Sequence, residues 1–443
     1  MKEHPLYPWD HYSDQPHIMR NKKHKRMIYF RASWQMVTAG ILLIFFPFVL
    51  LILLTRKTWK SSSTKNLIGL SVHLETECPE KTIVPLPDLV DMVDDLNVSQ
   101  LLVRIKLADV DNYKSYIQHI DALSSSGREI SINLIQDRHL LDDDELLKSA
   151  LRKLLPLLKA RTKYIHVGNA YNRRKWAFYH FGEYHRFFQN VRNECDEICP
   201  EIQLIGGSVI DFEIPPFFES LFHFRKGNYD GYSSQLYVDR RGAPENTQSS
   251  FDFIKKINLI YLMHKLSWKT SGELWISEIN WPLKDTGKFA PCIGSALVDP
   301  QTQANYLVRS YLIAMASGNI RTCFWHQLVA PGYGLVDNRD ETFIKYPSYI
   351  AFKTLISFFN DAKITHFENG NYKNIEDLYM IQAIIKLDGK ATKICALWSN
   401  NGEHQVSLPN VKRWINQYGE TLATAKNQKT NITLSVLYGI MLD

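Results

Sequence analysis

The run Trp275-Ile-Ser-Glu278-Ile-Asn-Trp281-Pro closes an apolar, strand-like stretch on a carboxylate with an indole on either side. A carboxylate held next to an acetal carbon can act as its nucleophile. An indole supplies the apolar, polarisable face on which the C–H side of a sugar ring stacks, while amides and carboxylates bond to the hydroxyls. The chemistry this combination suits is cleavage of a glycosidic bond, which ordinarily takes two carboxyl groups on opposite sides of that bond.

A glutamate does this only if a frame holds it in place. Between 66 and 360, short β-rich apolar runs alternate with amphipathic stretches, the pattern of parallel βα units. Strands are expected at 67–73, 101–107, 129–136, 164–169, 202–209, 231–238, 274–280 and 321–328. Helices are expected at 87–96, 110–125, 142–159, 181–199, 216–224, 249–266, 299–316 and 347–359, several opening on Pro or Asp as helix starts prefer. Eight such units close into an α/β (β/α)8 TIM barrel. An open doubly wound sheet is the rival, but no glycine-rich phosphate loop follows the first strand. Past 360 the pattern changes to alternating strands at 379–385, 393–398, 404–408 and 435–441, expected to form a small β-sandwich packed on the barrel over 361–443.

Barrel sites are built at the C-terminal ends of the strands. By the period of two, Leu274, Ile276, Glu278 and Asn280 share one face, which sends Glu278 to the mouth and Trp275 to the helix layer. The sixth strand brings Gln235 and Tyr237 to the same mouth and the eighth brings Trp325 and Gln327. The connection 280–299 is long enough to wall a subsite. The stretch Asn172-Arg173-Arg174-Lys175-Trp176 sets positive charge beside an indole, suiting an acidic saccharide unless those residues pair with nearby acids.

Composition bounds the alternatives. With 443 residues, 45% of them hydrophobic and 22% charged, the chain has the material for a large core and is not wholly disordered. The net charge of +6 is concentrated at Arg20, Lys22, Lys23, Lys25, Arg26 and Arg31 rather than along a basic stripe with interleaved aromatics, so no nucleic acid is expected as a partner. Residues 37–54 form an apolar run of bilayer-spanning length, followed by Thr55-Arg56-Lys57 instead of a small-residue cleavage site. We therefore expect a single-pass membrane protein, with a basic cytoplasmic segment over 1–36, an anchor at 37–54 in the lipid bilayer, a connector at 55–65, and a barrel that is periplasmic or extracellular. The cysteines are scattered without paired ligand spacing, so no zinc site is indicated; the chain is expected to work without a metal or organic cofactor.

From about Leu67 onward the chain resembles the clan A glycoside hydrolases, retaining enzymes on a (β/α) barrel. Their fourth strand ends in Asn-Glu, the glutamate being the acid/base; here Tyr164-Ile-His-Val-Gly-Asn169-Ala170 aligns with it, so Asn169 matches and Ala170 replaces the acid. Glu278 matches their nucleophile, Trp325 their eighth-strand sugar-stacking tryptophan, Arg104 the arginine that orients the nucleophile, and Tyr237 a sixth-strand tyrosine. The resemblance implies a carbohydrate partner, Glu278 as the catalytic residue, and Arg104, Asn169, Tyr237 and Trp325 around the sugar; Trp281, the indole beside Glu278, is expected to join them.

Alanine can neither protonate a leaving oxygen nor activate water, help worth about 100- to 10,000-fold. Three readings follow. Another group, among Glu75, Asp211, Glu213, His166 and Asp239, supplies the acid; or the substrate itself does; or the barrel has lost turnover and serves as a glycan-binding receptor or scaffold.

Overall fold

A computed structural model of the chain describes residue 26, residue 37, residues 40–41, residue 44, and residues 46–74, 82–238, 240, 242–422 and 429–442. Eight parallel strands close a barrel: β1 Ile68–His73, β2 Gln100–Lys106, β3 Glu129–Ile135, β4 Tyr164–Val167, β5 Gln203–Ile210, β6 Gly231–Gln235, β7 Leu274–Ile279 and β8 Cys323–Trp325. Each is followed by one of the helices α1 Leu86–Leu96, α2 Tyr113–Ser124, α3 Asp144–Leu158, α4 Phe181–Ile198, α5 Ile214–Leu221, α6 Phe253–Leu266, α7 Pro300–Ser317 and α8 Pro347–Phe359. α3 shows why such a stretch is helical and where it faces. Asp143 caps it by accepting from the Glu145 and Leu146 amides, and Leu147, Leu151, Leu154 and Leu158 recur at helical spacing on the buried side.

The barrel interior is filled from all round. Leu102 of β2, Ile205 of β5, Trp275 of β7 and Phe324 of β8 form one cluster, and His166 of β4 meets Trp275 edge-on at 5.2 Å. Side chains from such distant strands touch only inside the barrel, so Trp275 points inward and not to the helix layer. Room for these rings comes from residues with no side chain. A methyl built on Gly69 of β1 would lie 2.5 Å from a Phe324 ring carbon, and one on Gly231 of β6 would lie 2.8 Å from Ile205. We expect Gly69→Ala to destabilise the protein by about 1–3 kcal/mol through overpacking, read as a lower denaturant midpoint.

In place of the expected small β-sandwich, the C-terminal region forms most of a seven-stranded antiparallel sheet. Its labelled strands are β9 Lys363–Glu368, β10 Leu378–Leu387, β11 Lys390–Ser399, β12 Val411–Asn416 and β13 Leu437–Met441, all pairing antiparallel. Alternation along β10 explains its packing. Ile381, Ala383 and Ile385 join the large core, while Leu378 and Met380 face a second cluster closed by Val406 and Ile432 of a separate two-stranded ribbon. The connector takes part as well, since Ser62–Ser63 pairs with β9 at one edge and the Thr64 hydroxyl donates to the Phe359 carbonyl.

The expected bilayer span at 37–54 is described as a continuous helix only over Phe46–Leu54. Among the described residues no helix is long and apolar enough to cross a membrane. One side of this helix is taken up by the barrel, with Val49 buried and Phe46 meeting Phe218 of α5 at 6.0 Å.

Candidate active site

Glu278 reaches the mouth because β7 breaks its own alternation. Ser234 of β6 pairs with Ile276, but the next pair is Gln235 with Glu278, which leaves Ser277 as an extra residue. The other edge agrees, with Ile276 opposite Cys323 and Ile279 opposite Trp325. A bulge of this kind re-aims a side chain. Residues paired across a parallel sheet share a face, so Glu278 turns inward with Gln235 while Ile276 and Ile279 join the outer core. Strict alternation from the inward Trp275 would instead have aimed Ser277 into the mouth and Glu278 away from it.

Three donors converge on that carboxylate, which is only 5% exposed. The Tyr237 hydroxyl donates to Oε2 at 2.7 Å. Burial, and then the charge of Glu278, holds the Tyr237 phenol well above its ordinary pKa and so keeps it a donor. Arg104 Nη2 stands 3.9 Å from Oε1. The surrounding hydrogen bonds orient the Asn169 amide with its nitrogen donating to Oε1 at 3.2 Å and its oxygen accepting from Arg104 at 3.1 Å. The Gln235 amide meets that of Asn169.

A supporting layer fixes these groups. Gln136 accepts from the Asn169 amide N–H at 2.9 Å and donates to the Asn169 carbonyl at 2.8 Å and to the Trp176 carbonyl at 2.5 Å. Asn133 donates to the Gly168 carbonyl at 3.0 Å. Arg104 also lies 5.3 Å from the Trp176 ring centroid, and its Nη1 is 3.4 Å from Nε2 of His326. Arginine only donates, so Nε2 is the acceptor there. The His326 ring stacks on Tyr333 at 5.6 Å and 12°.

Of the expected residues, Glu278, Arg104, Asn169 and Tyr237 come together, and Trp325 and Trp281 do not join them. Phe324 sets the inward register of β8, so Trp325 faces outward and His326 takes the place expected for it. The two tryptophans stack on each other at 6.3 Å and 21°, both 0% exposed. Trp281 is further held by its Nε1 donating to the Gly242 carbonyl at 2.7 Å and by Gln303 donating to its carbonyl at 2.9 Å. The connection 280–299 is stapled beside the mouth, with the Leu283 amide donating to Gly332 at 2.7 Å and that of Lys284 to Val298 at 2.9 Å. His326 and the supporting Gln136 went unseen in the sequence; anchoring β8 on Phe324 is the signal that would have found the first.

Ala170 stands next to Asn169 with φ +44° and 0% exposure, in an apolar cluster with Ile135 and Trp176. The candidate replacement acids are engaged elsewhere or lie outside the described residues, as Glu75 and Asp239 do. Arg173 donates to Asp211 at 2.5 Å and to Glu213 at 2.8 Å, and Asn172 donates to Glu213 at 3.0 Å. Burial raises the Glu213 pKa, but the bonds and charge of Arg173 outweigh it and leave the group below its ordinary value, which is unhelpful in a proton donor. For Arg173 the basic stretch therefore pairs with acids. His166 lies in the barrel filling, where burial pulls its pKa to about 3.

No protein-family model matches the chain, and no curated protein matches it. The architecture is similar to that of solved glycoside hydrolases. A family 39 glycoside hydrolase from the gut symbiont Bacteroides cellulosilyticus WH2 superposes with a TM-score of 0.61 at 16% identity, over 85% of this chain and 81% of that one. A GH39 β-xylosidase from Caulobacter crescentus gives 0.55 at 12%, over 87% and 98%. A GH51 arabinofuranosidase from Xanthomonas axonopodis pv. citri gives 0.54 at 14%, over 86% and 97%. At these identities the likeness is one of fold.

Proposed function

We propose that the chain is a membrane-held glycoside hydrolase acting on O-glycosidic bonds of an envelope or extracellular glycan, with Glu278 as its nucleophile. The observation that carries this reading is the convergence of Tyr237, Asn169 and Arg104 on one nearly sealed carboxylate. Donors set this way hold the carboxylate aimed for attack at an anomeric carbon. The apolar run 37–54 holds the chain at the bilayer with 1–36 on the cytoplasmic side and the barrel outside, supported by the length of that run and its basic flank.

Ala170 occupies the position of the acid, so the first step suits leaving groups that depart without a proton, and the second lacks a base to activate water. Nitrophenyl glycosides should give a burst of phenolate followed by slow turnover. Azide, an anion that attacks without base catalysis, should raise the steady rate about 100-fold or more and appear as the glycosyl azide.

A second reading is favoured by the apolar enclosure of Ala170 beneath Trp176. The barrel would then bind a glycan as a receptor or scaffold, since ground-state affinity needs no acid at the leaving oxygen. No burst and no azide effect over a broad panel of glycosides, with a glycan still bound, would select it.

A further inference from the structure

At the end of the barrel opposite the mouth, the loops leading into β6 and β7 present aromatic side chains to solvent. Phe224 is 86% exposed and Trp268 51%, with their rings stacked at 5.5 Å and 29°. Trp268 is held in this outward pose, because its Nε1 donates to the His223 carbonyl at 3.0 Å. The pair is also not isolated. Ring contacts run from Trp268 to Phe222 at 5.4 Å, from Phe222 to Phe218 at 5.2 Å, and from Phe218 to Phe46 of the N-terminal helix at 6.0 Å. That helix turns Phe48, Leu51 and Leu54 outward. Phe218 and Phe222 are buried, so these contacts join the exposed pair to the segment 37–54 through the core.

Basic residues adjoin both the helix and the exposed pair. Arg56, Lys57 and Lys60 follow the helix, Arg225 and Lys226 adjoin Phe224, and Lys265 precedes the exposed Leu266, all six exposed. The ammonium groups of Lys60 and Lys265 both lie over the Tyr261 ring, at 5.4 and 5.5 Å. Burial raises the pKa of the neighbouring Glu219 to about 8, against the charge of Arg225. Aromatic rings at the level of the headgroups with lysines and arginines beside them match the chemistry of a bilayer interface.

We propose that this end of the barrel is a second membrane contact, in which Phe224 and Trp268 enter the interface of a bilayer containing anionic lipid and the surrounding basic side chains meet phosphate headgroups. The proposal rests on the membrane-held reading for the placement of the chain. It adds an orientation, since the loops entering β6 and β7 lie against the lipid while Glu278, at the far ends of the strands, is directed away from it toward a glycan in the space outside.

The test uses full-length protein reconstituted into vesicles of phosphatidylcholine and phosphatidylglycerol, with and without lipid brominated on the acyl chains. The difference in emission between wild type and Trp268→Phe isolates the signal of Trp268. Docking predicts that brominated lipid quenches this difference by about half or more, that Phe224→Ser with Trp268→Ser still floats with the vesicles, and that quenching weakens in phosphatidylcholine alone. Flotation with an unquenched Trp268 overturns the docking and leaves the anchor standing. Failure to float overturns both. A lipid-free dimer that the double serine variant abolishes assigns the patch to a second copy of the chain and overturns the lipid contact.

Discussion

Glutamine at Glu278 should leave the barrel folded and cut any glycoside turnover by at least about 1,000-fold, because removing a covalent nucleophile removes the step itself rather than a contact to it. The substitution is nearly isosteric, and the amide oxygen still accepts from Tyr237, so the packing of a side chain that is 5% exposed changes little. What disappears is the charge opposite Arg104, whose guanidinium keeps Asn169 as an acceptor and the Trp176 face as a neighbour. Burst amplitude on nitrophenyl glycosides is the direct readout, with an unchanged far-ultraviolet spectrum as the control. A variant that retains the burst places the nucleophile elsewhere. A wild type without a burst but with glycan affinity unaltered by Glu278→Gln supports the binding reading.

The barrel was legible because its signal is repetitive. Eight short apolar runs separated by amphipathic stretches leave little choice of topology, and each expected strand overlaps an observed one, from β1 Ile68–His73 to β8 Cys323–Trp325. The site was less legible because it depends on parity. One inserted residue in β7 is invisible to a period-two reading, yet it decides that Glu278 and not Ser277 faces inward. In β8 no bulge is involved. The inward position belongs to Phe324, which the barrel needs as filling against Gly69, so the indole that resembles a sugar platform lies in the outer core and an imidazole stands in the mouth. The C-terminal sheet shows a third limit: Ser62–Ser63 pairs with a strand some 300 residues away, and local composition carries no trace of such a partner.

Alanine at Glu245 should lower the folding free energy by about 3–5 kcal/mol. Glu245 lies in the segment between β6 and α6 and forms a two-pronged ion pair with Arg309 of α7, both side chains withdrawn from solvent. Arg309 also donates to the Asn400 side chain at 2.7 Å and to the Leu434 carbonyl at 3.4 Å, while Trp398 of β11 donates to Glu245 at 2.7 Å. One carboxylate thus ties together a loop, a barrel helix and the C-terminal sheet. Its removal strands a guanidinium that no water reaches and leaves the Trp398 N–H unpaired, and the cost of those orphaned groups exceeds the value of the pair itself. The consequence extends to the site, because the same segment begins at Tyr237, whose hydroxyl fixes Glu278. Denaturant unfolding should show a lower midpoint in Glu245→Ala, with earlier proteolysis within 361–443. Replacing Glu245 and Arg309 together by methionine should restore much of the loss, since no buried charge then remains. A loss under about 1 kcal/mol in Glu245→Ala would mean that water enters and solvates Arg309, and the pair would then be a contact between the two regions rather than the bond that joins them.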